Sequence, residues 1–146
     1  MTTRFSEADL AMLQGTAKRK RNYHRLANPA IVEHEFNGQY GHPSSYAFVR
    51  FECSPSDELS FEVAMRWPES IPAGYVQRLE CAIAEGVADA LLDGLYPHTG
   101  CRVALVDIRY DNLGSSEAAF LWSATAAARK LLSEQWTIVI RPRNDA

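Results

Sequence analysis

The sequence has 146 residues, of which 47% are hydrophobic and 23% are charged, and its formal net charge is −3. This composition is typical of a folded globular protein and excludes a disordered chain, and the length suits one domain with a mixed sheet and two or three helices. No apolar run reaches the roughly 18 residues that a membrane-spanning helix needs, and the N-terminus lacks the apolar core of a signal peptide. We therefore expect a cytoplasmic protein with no membrane partner.

Positive charge is concentrated near the N-terminus. Residues 1–28 hold six basic and two acidic side chains, a net charge of +4, which leaves −7 for residues 29–146. Five of the basic side chains form a basic arm: Lys18, Arg19, Lys20, Arg21 and Arg25. Beyond this arm, any attraction to a polyanion must be local, because the body of the chain is acidic.

A short N-terminal helix is predicted, because Ser6 is a suitable N-cap and apolar residues follow it at helical spacing. The basic run after it has two open interpretations. Its charges complement the negative end of the helix dipole, or they grip RNA phosphates, with Tyr23 and His24 available to stack on bases. We predict residues 1–28 as an N-terminal basic helical arm and residues 29–146 as one domain, divided at Asn28-Pro29.

Three segments of this domain alternate between apolar and polar residues as strands do, over residues 31–36, 45–53 and 59–66. Turn-forming residues separate them, so the natural prediction is three successive antiparallel strands. In the second segment Tyr46 and Arg50 share one face, and Val49 lies on the other.

The clearest helical pattern begins at Pro72, a residue that the first turn of a helix tolerates, and ends near Gly94, a predicted C-cap. A strand over residues 102–109, a helix over residues 118–132 capped by Ser115, and a closing strand over residues 136–140 follow. This order predicts an α+β two-layer sandwich, with helices on one face of a mixed, mostly antiparallel sheet of four or five strands.

Motifs that carry chemistry are scarce. The histidines are scattered without metal-ligand spacing, and there is no glycine-rich phosphate-binding loop, so we predict no metal, no cofactor and no nucleotide. Ser115 and Ser116 stand at a helix start, where capping explains them better than nucleophilic catalysis does. Asp107 and Asp111 lack a partner acid or histidine nearby in sequence and are interpreted as solvated charges. The chain is predicted not to be an enzyme.

Several separated motifs resemble domain IV of translation elongation factor G, in the same order over residues 30–141. They are Gly38-Gln39-Tyr40-Gly41, Ile71-Pro72 with Tyr75, Tyr96-Pro97, Leu105-Val106-Asp107 with Tyr110, and Ser115-Ser116-Glu117-Ala118-Ala119-Phe120. The resemblance implies the fold of that domain, which contains a left-handed βαβ crossover and is shared with some small-subunit ribosomal proteins. It also implies that the loop before Ser115 is a working tip.

The sequence departs from the family at this tip. The family places a histidine directly after the tyrosine, where this chain has Asp111, and a glycine pair where it has Pro68-Glu69-Ser70. A carboxylate repels phosphate, although it can still accept a hydrogen bond from a base amino group. The GTPase motifs of the family are absent from these residues, so nucleotide hydrolysis is not expected.

Two functions from different classes follow. The first is a non-catalytic module that binds the ribosome or RNA through a tip formed by six residues, with the basic arm adding non-specific affinity. The second is a protein-interaction or structural module that reuses the fold without binding RNA. The six predicted tip residues are Arg66, Trp67, Arg109, Tyr110, Asp111 and Asn112.

Overall fold

The computed structural model describes residues 3–15, 22–38, 45–94 and 96–140. In chain order its elements are β1 (Arg4–Phe5), α1 (Glu7–Gln14), β2 (Asn22–Leu26), β3 (Ala30–Gly38), β4 (Ser45–Pro55), β5 (Ser60–Val63), α2 (Ala73–Leu91), β6 (Cys101–Arg109), α3 (Glu117–Lys130), one 3₁₀ turn (Leu131–Ser133) and β7 (Trp136–Ile140). They form a five-stranded mixed sheet, a two-stranded sheet and three helices packed as a sandwich. The predicted α+β class is confirmed.

The strand order of the main sheet is β1-β5-β6-β4-β3. β3 pairs antiparallel with β4 and β4 with β6, but β5 pairs with β6 in parallel. The prediction of three successive antiparallel strands is therefore wrong, because β6 lies between the second and third of them. α2 links β5 to β6, since parallel neighbours need a crossover connection. The presence of a βαβ crossover agrees with the fold that the resemblance implies. That the crossover is left-handed stays a prediction.

The core lies between this sheet and α2 and α3. Along β4, Val49 and Phe51 point into it and are fully buried, whereas Tyr46 and Arg50 lie on the opposite face, as the alternation predicted. α2 and α3 run in the same direction. Arg78 of α2 bonds Glu117 at the start of α3, and Gly86, two turns on, lies against Leu121. The N-termini of both helices therefore meet at one end of the sheet.

The N-terminal prediction is partly wrong. Ser6 and Asp9 form a capping box, so the predicted helix start is confirmed, but α1 ends at Gln14 and is capped by Gly15, whose φ is 84°. Residues 16–21, and with them Lys18, Arg19, Lys20 and Arg21, lie outside the described residues. Residues 22–25 are not helical, because they belong to β2.

β2 is paired along its whole length with β7, from Asn22 opposite Ile140 to Leu26 opposite Trp136. We call this antiparallel pair the ribbon. The closing strand therefore completes a second sheet rather than the main one. Tyr23, which was expected to be available for stacking, is buried.

The ribbon is joined to the main body through the segment that precedes β6. Gly100 N donates to His24 O at 2.9 Å, and Leu26 N donates to Gly100 O at 3.0 Å. A Cβ atom at position 100 would lie 2.4 Å from Arg25 Cα, so only glycine allows this approach. The ribbon is thus held at the end of the sheet where β6 begins.

Side chains of α3 bond to the backbone of β3, the strand at one outer edge of the main sheet. Ser123 Oγ donates to His34 O at 2.7 Å, and Lys130 Nζ donates to Glu33 O at 2.5 Å. Both carbonyl groups belong to β3, the edge strand. These bonds also fix α3 against the sheet.

The imidazole of His98 gives the fold a pH dependence. Its ring is half-buried between His24 and Trp136, and burial, reinforced by His24, lowers its pKa from 6.5 to about 4. Between these values the unfolded chain binds more protons than the folded one, so stability falls as the pH falls. Because solvent screens the charge of a half-buried ring, we expect the free energy of unfolding to fall by only about 1 kcal/mol between pH 6.5 and 4.

The measurement is the urea midpoint at pH 7 and at about pH 4.5, for the wild type and for His98→Phe. The phenylalanine keeps an aromatic ring against Trp136 but cannot titrate. We expect the shift of the midpoint to be smaller in the variant. An identical shift in both proteins would contradict the assignment to His98.

Candidate functional site

The loop between β6 and α3, residues 110–116, is the predicted tip and is closed by its own polar groups. Asp111 Oδ1 accepts from Leu113 N at 3.0 Å, and Asp111 O accepts from Ser115 N at 2.9 Å. Asp111 N donates to Ser115 Oγ at 2.8 Å. Asp111 therefore shapes the turn, a common role of this residue type.

The two serines after the loop have different roles, which corrects the predicted cap. Ser116, not Ser115, caps α3, since its Oγ accepts from Ala119 N at 3.1 Å. Ser115 Oγ donates to Tyr46 O at 2.8 Å, and Tyr46 N donates to Gly114 O at 3.0 Å. The loop is thereby tied to the first residues of β4.

Phe120 brings the two predicted tip loops together. It is fully buried in the first turn of α3. Its ring centroid lies 5.6 Å from that of Trp67, in the loop before α2, and 6.5 Å from that of Tyr110. Edge-on and offset contacts of this kind stabilise aromatic clusters. The loop that carries Arg66 and Trp67 therefore lies beside the loop that carries Tyr110 to Asn112.

Trp67 has a structural role at this site. Its Nε1 donates to Glu80 Oε2 at 3.0 Å, and Thr3 Oγ1 donates to Glu80 Oε1 at 3.1 Å. Glu80 is a buried residue of α2, and both of its carboxylate oxygens accept a hydrogen bond. Trp67 and Tyr110 thus fix the two loops, and both side chains are partly buried.

Arg109 is also engaged within the chain. Its Nη1 lies 3.5 Å from Glu35 Oε2, and its guanidinium carbon lies 4.4 Å from the ring centroid of Phe48. Tyr46 donates to the same Glu35 oxygen at 3.1 Å. Burial, followed by this hydrogen bond, raises the pKa of Tyr46. Since Glu35, Phe48 and Arg109 are neighbours in register across three strands, Arg109 belongs to the sheet surface.

The exposed residues of the two loops include Arg66, Asp111, Asn112 and Leu113. Leu113 stands out, because 87% of it is exposed at the apex of the turn. The sequence prediction missed this residue, whose only signal was one apolar side chain within a polar turn. Glu69 is also exposed, so the exposed charges of the described tip are the cation of Arg66 and the carboxylates of Glu69 and Asp111. This tip is not a strongly basic surface.

Arg25 of the basic arm lies far from the tip. It forms an ion pair with Asp57, in the turn that follows β4. The tip is bound to the other end of β4, at Tyr46, and an 11-residue strand is about 30 Å long. The structure therefore brings the predicted tip residues together but separates Arg25 from them.

Metal ligation requires several suitable side chains close together among the described residues. Among them, no group of three or more histidine, cysteine, aspartate or glutamate residues could hold a metal ion. Asp107 Oδ2 lies 3.6 Å from Arg50 Nη1, and Arg50 also bonds Glu33 at 3.0 Å. Asp107 is thus part of a cross-strand charge row. None of the helices that the structure describes is long and apolar enough to cross a membrane.

Comparison with known proteins supports the fold. No protein-family profile matches the sequence. Among solved structures, a crystal structure of a Thermus thermophilus protein is similar with a TM-score of 0.61 and 21% sequence identity. The match covers 83% of this chain and 18% of the Thermus chain. This chain therefore shares its fold with a small part of a much longer protein.

Proposed function

We propose that the chain is a non-catalytic module that binds the ribosome or RNA, related to the translocation tip domain of elongation factor G. The observation that carries this proposal is the meeting of the two loops around Phe120. They are the same two loops that the sequence resemblance assigns to the family's tip. The mixed sheet and the crossover through α2 are the architecture that the resemblance implies.

The exposed side chains of the tip have defined roles in this proposal. Arg66 pairs with a phosphate, and Asn112 and Asp111 hydrogen-bond to base edges or sugars. Trp67 and Tyr110 hold the loops in place, and Arg109 is paired on the sheet surface, so these three residues do not make the main contact. Lys18, Arg19, Lys20, Arg21 and Arg25 add affinity that does not depend on the RNA sequence. GTP hydrolysis has no part in this function.

Cosedimentation with ribosomal subunits tests the proposal. We expect the wild-type chain to pellet with subunits at low salt, and the double variant Arg66→Ala/Asn112→Ala to pellet about tenfold less, which corresponds to the value of one good polar interaction. Arg129→Ala is the matched control, because Arg129 is an exposed arginine in the last turn of α3, away from the tip. If the wild type fails to pellet at both low and moderate salt, the proposal is wrong.

A second candidate is a protein-interaction module, and the exposure of Leu113 favours it. A leucine at the apex of a fixed turn suits an apolar pocket on a protein, and Arg109 is already paired with Glu35. A pull-down with nuclease treatment separates the two candidates. Capture of one stoichiometric protein that Leu113→Ser abolishes and Leu132→Ser leaves intact would favour this second function.

A further inference from the structure

The face of the main sheet that is turned away from α2 and α3 contains a depression of about 720 Å³. One row of side chains crosses the sheet at this depression, because the register places them opposite one another on neighbouring strands. From β3 to β1 the row is Ile31, Glu52, Ala104, Glu62 and Arg4. Ala104 lies on the central strand β6 and has the smallest side chain of the row, so it forms the floor of the depression.

The backbone of β6 is irregular at this point. The pairing with β4 shifts between Arg50 and Phe51, which leaves Val106 as an extra residue in β6. A β-bulge of this kind bends its strand and is frequent next to active sites. Ala64 and Val106 line the depression together with Ala104. The floor of the depression is therefore apolar and is formed by short side chains.

One side of the depression is formed by a buried carboxylate whose hydrogen bonds are complete. Glu62 is 9% exposed, and it accepts from Arg102 Nε at 2.9 Å and from Arg4 Nε at 3.3 Å. The hydrogen bond from Arg102 lowers the pKa of Glu62, although burial opposes this change. Two guanidinium groups therefore satisfy this carboxylate, and it needs no cation from a ligand.

Glu52, on the other side of the depression, lacks a comparable partner. It is exposed, and no hydrogen bond or ion pair joins its carboxylate to another described residue. Arg50, two residues earlier in β4, is paired with Glu33. Arg102, diagonally across on β6, is paired with Glu62. Glu52 therefore brings an uncompensated negative charge to a mostly apolar depression.

Charge and volume indicate what kind of ligand fits. The Glu52 carboxylate repels an anion, and a neutral apolar ligand would cover this carboxylate without pairing it, which costs free energy. An apolar molecule that carries a cation covers the floor and also pairs with Glu52. A volume of about 720 Å³ lies within the range of about 300 to 1,000 Å³ that is typical of small-molecule sites. One lysine or arginine side chain would fill only a small part of it.

The rest of this sheet face does not favour a protein partner. Beside the depression, Arg50 is paired with Glu33 and Asp107. Arg109 is paired with Glu35. A stable protein interface covers about 800 Å² of each partner, so it would have to cover these ion pairs as well. Because the desolvation of ion pairs offsets much of what they contribute, a small molecule that leaves them in water fits this face better.

We infer that the depression is a binding site for a small organic cation with an apolar body, which is an alkyl or aryl amine or guanidine. The apolar body lies on Ala64, Ala104 and Val106, and the cationic nitrogen donates to Glu52. Ser54 also lines the depression, and its hydroxyl group accepts a second hydrogen bond from the nitrogen. The inference goes beyond the proposed function, because it uses no residue of the tip and involves neither RNA nor the ribosome.

Three probes that carry the same aromatic ring test the inference: phenethylamine, phenethyl alcohol and phenylacetate. Each is titrated into the isotope-labelled full chain at neutral pH, and the NMR signals of the Ile31, Ala64 and Ala104 amides report binding. We expect the amine to bind about tenfold more tightly than the alcohol, which corresponds to one hydrogen bond between charged groups. The carboxylate probe should bind most weakly.

Glu52→Gln keeps the shape of the side chain and removes its charge. We expect this variant to bind the amine about tenfold more weakly and to bind the alcohol as the wild type does. Asp93→Asn is the matched control, because it also removes an exposed carboxylate but lies in the segment after α2. Ala104→Leu fills the floor and should abolish binding of both probes. Circular dichroism melting shows whether each variant is folded, and Glu52→Gln decides the question if Ala104→Leu is not.

Three results would overturn the inference. They are an amine that binds the wild type no better than the alcohol does, a folded Glu52→Gln variant that keeps the full preference for the amine, and amide signals that no probe changes at millimolar concentration. Binding of the lysine peptide acetyl-Leu-Lys-Leu-amide without binding of phenethylamine would assign the depression to a protein segment and would overturn the inference as well.

Discussion

Replacement of Phe120 by alanine is expected to lower the free energy of unfolding by about 3 to 5 kcal/mol. The side chain is fully buried, and removing the ring leaves a cavity between the two tip loops. Trp67 and Tyr110 would lose their common neighbour. The two loops would then separate, and the packing of the core would weaken. Urea unfolding measures the stability, and a red shift of tryptophan emission reports the exposure of Trp67.

The control for this prediction is two residues further along the same helix. Trp122 is larger than Phe120 but 50% exposed, and its ring centroid lies 5.1 Å from that of Phe36. We expect Trp122→Ala to cost about 1 kcal/mol, close to the value of one exposed aromatic pair. Equal losses of unfolding free energy in the two variants would contradict the role of Phe120 as the support of the two tip loops.

Replacement of Gly86 by alanine is expected to destabilise the protein by about 1 to 3 kcal/mol, although alanine is the better helix former. A Cβ atom at this position would lie 2.8 Å from Leu121 O and 2.9 Å from both Ala124 Cβ and Thr125 N. Two of these atoms belong to the backbone of α3, so the helices would have to move apart. Thermal or urea unfolding measures the change.

Gly74, in the first turn of the same helix, provides a control of opposite sign. Nothing lies within 4 Å of a Cβ atom built there. Gly74→Ala should therefore stabilise the protein by about 0.5 to 1 kcal/mol through helix propensity and reduced freedom of the unfolded chain. A stabilising Gly86→Ala would mean that α2 and α3 pack less closely than the distances indicate.

Features that depend on one element could be predicted from the sequence. The apolar residues of α2 recur at helical spacing, and the structure buries Leu79, Ile83 and Val87 as that pattern required. Likewise, the alternation in β4 gave both faces of the strand correctly. Period and local composition are properties of a short window, so they can be read without knowledge of the rest of the chain.

Features that depend on pairing between distant segments could not be predicted. The partner of β7 is β2, more than 100 residues earlier, and β2 lies in a run whose basic residues resemble a helix end. The insertion of β6 between β4 and β5 has the same origin. Local pattern specifies that a segment is a strand but not which neighbour it takes.

The candidate site shows the same division. The motif spacing correctly placed Trp67 and Tyr110 in two loops, which the structure brings to one end. It could not show that Trp67 bonds Glu80 or that Arg109 pairs with Glu35, because those partners are known only once the chain is folded. Leu113 was missed because a lone apolar residue has no periodicity to detect.

The bonds from Ser123 and Lys130 to the carbonyl groups of β3 have a consequence for behaviour at high concentration. An edge strand of nine residues with an exposed isoleucine would invite a second chain to add to the sheet and begin aggregation. Consecutive carbonyl groups of a strand point to opposite sides, so one of the two groups that α3 engages, Glu33 O or His34 O, lies on the open edge. The helix that supports the tip thus also occupies one acceptor that an incoming strand would need.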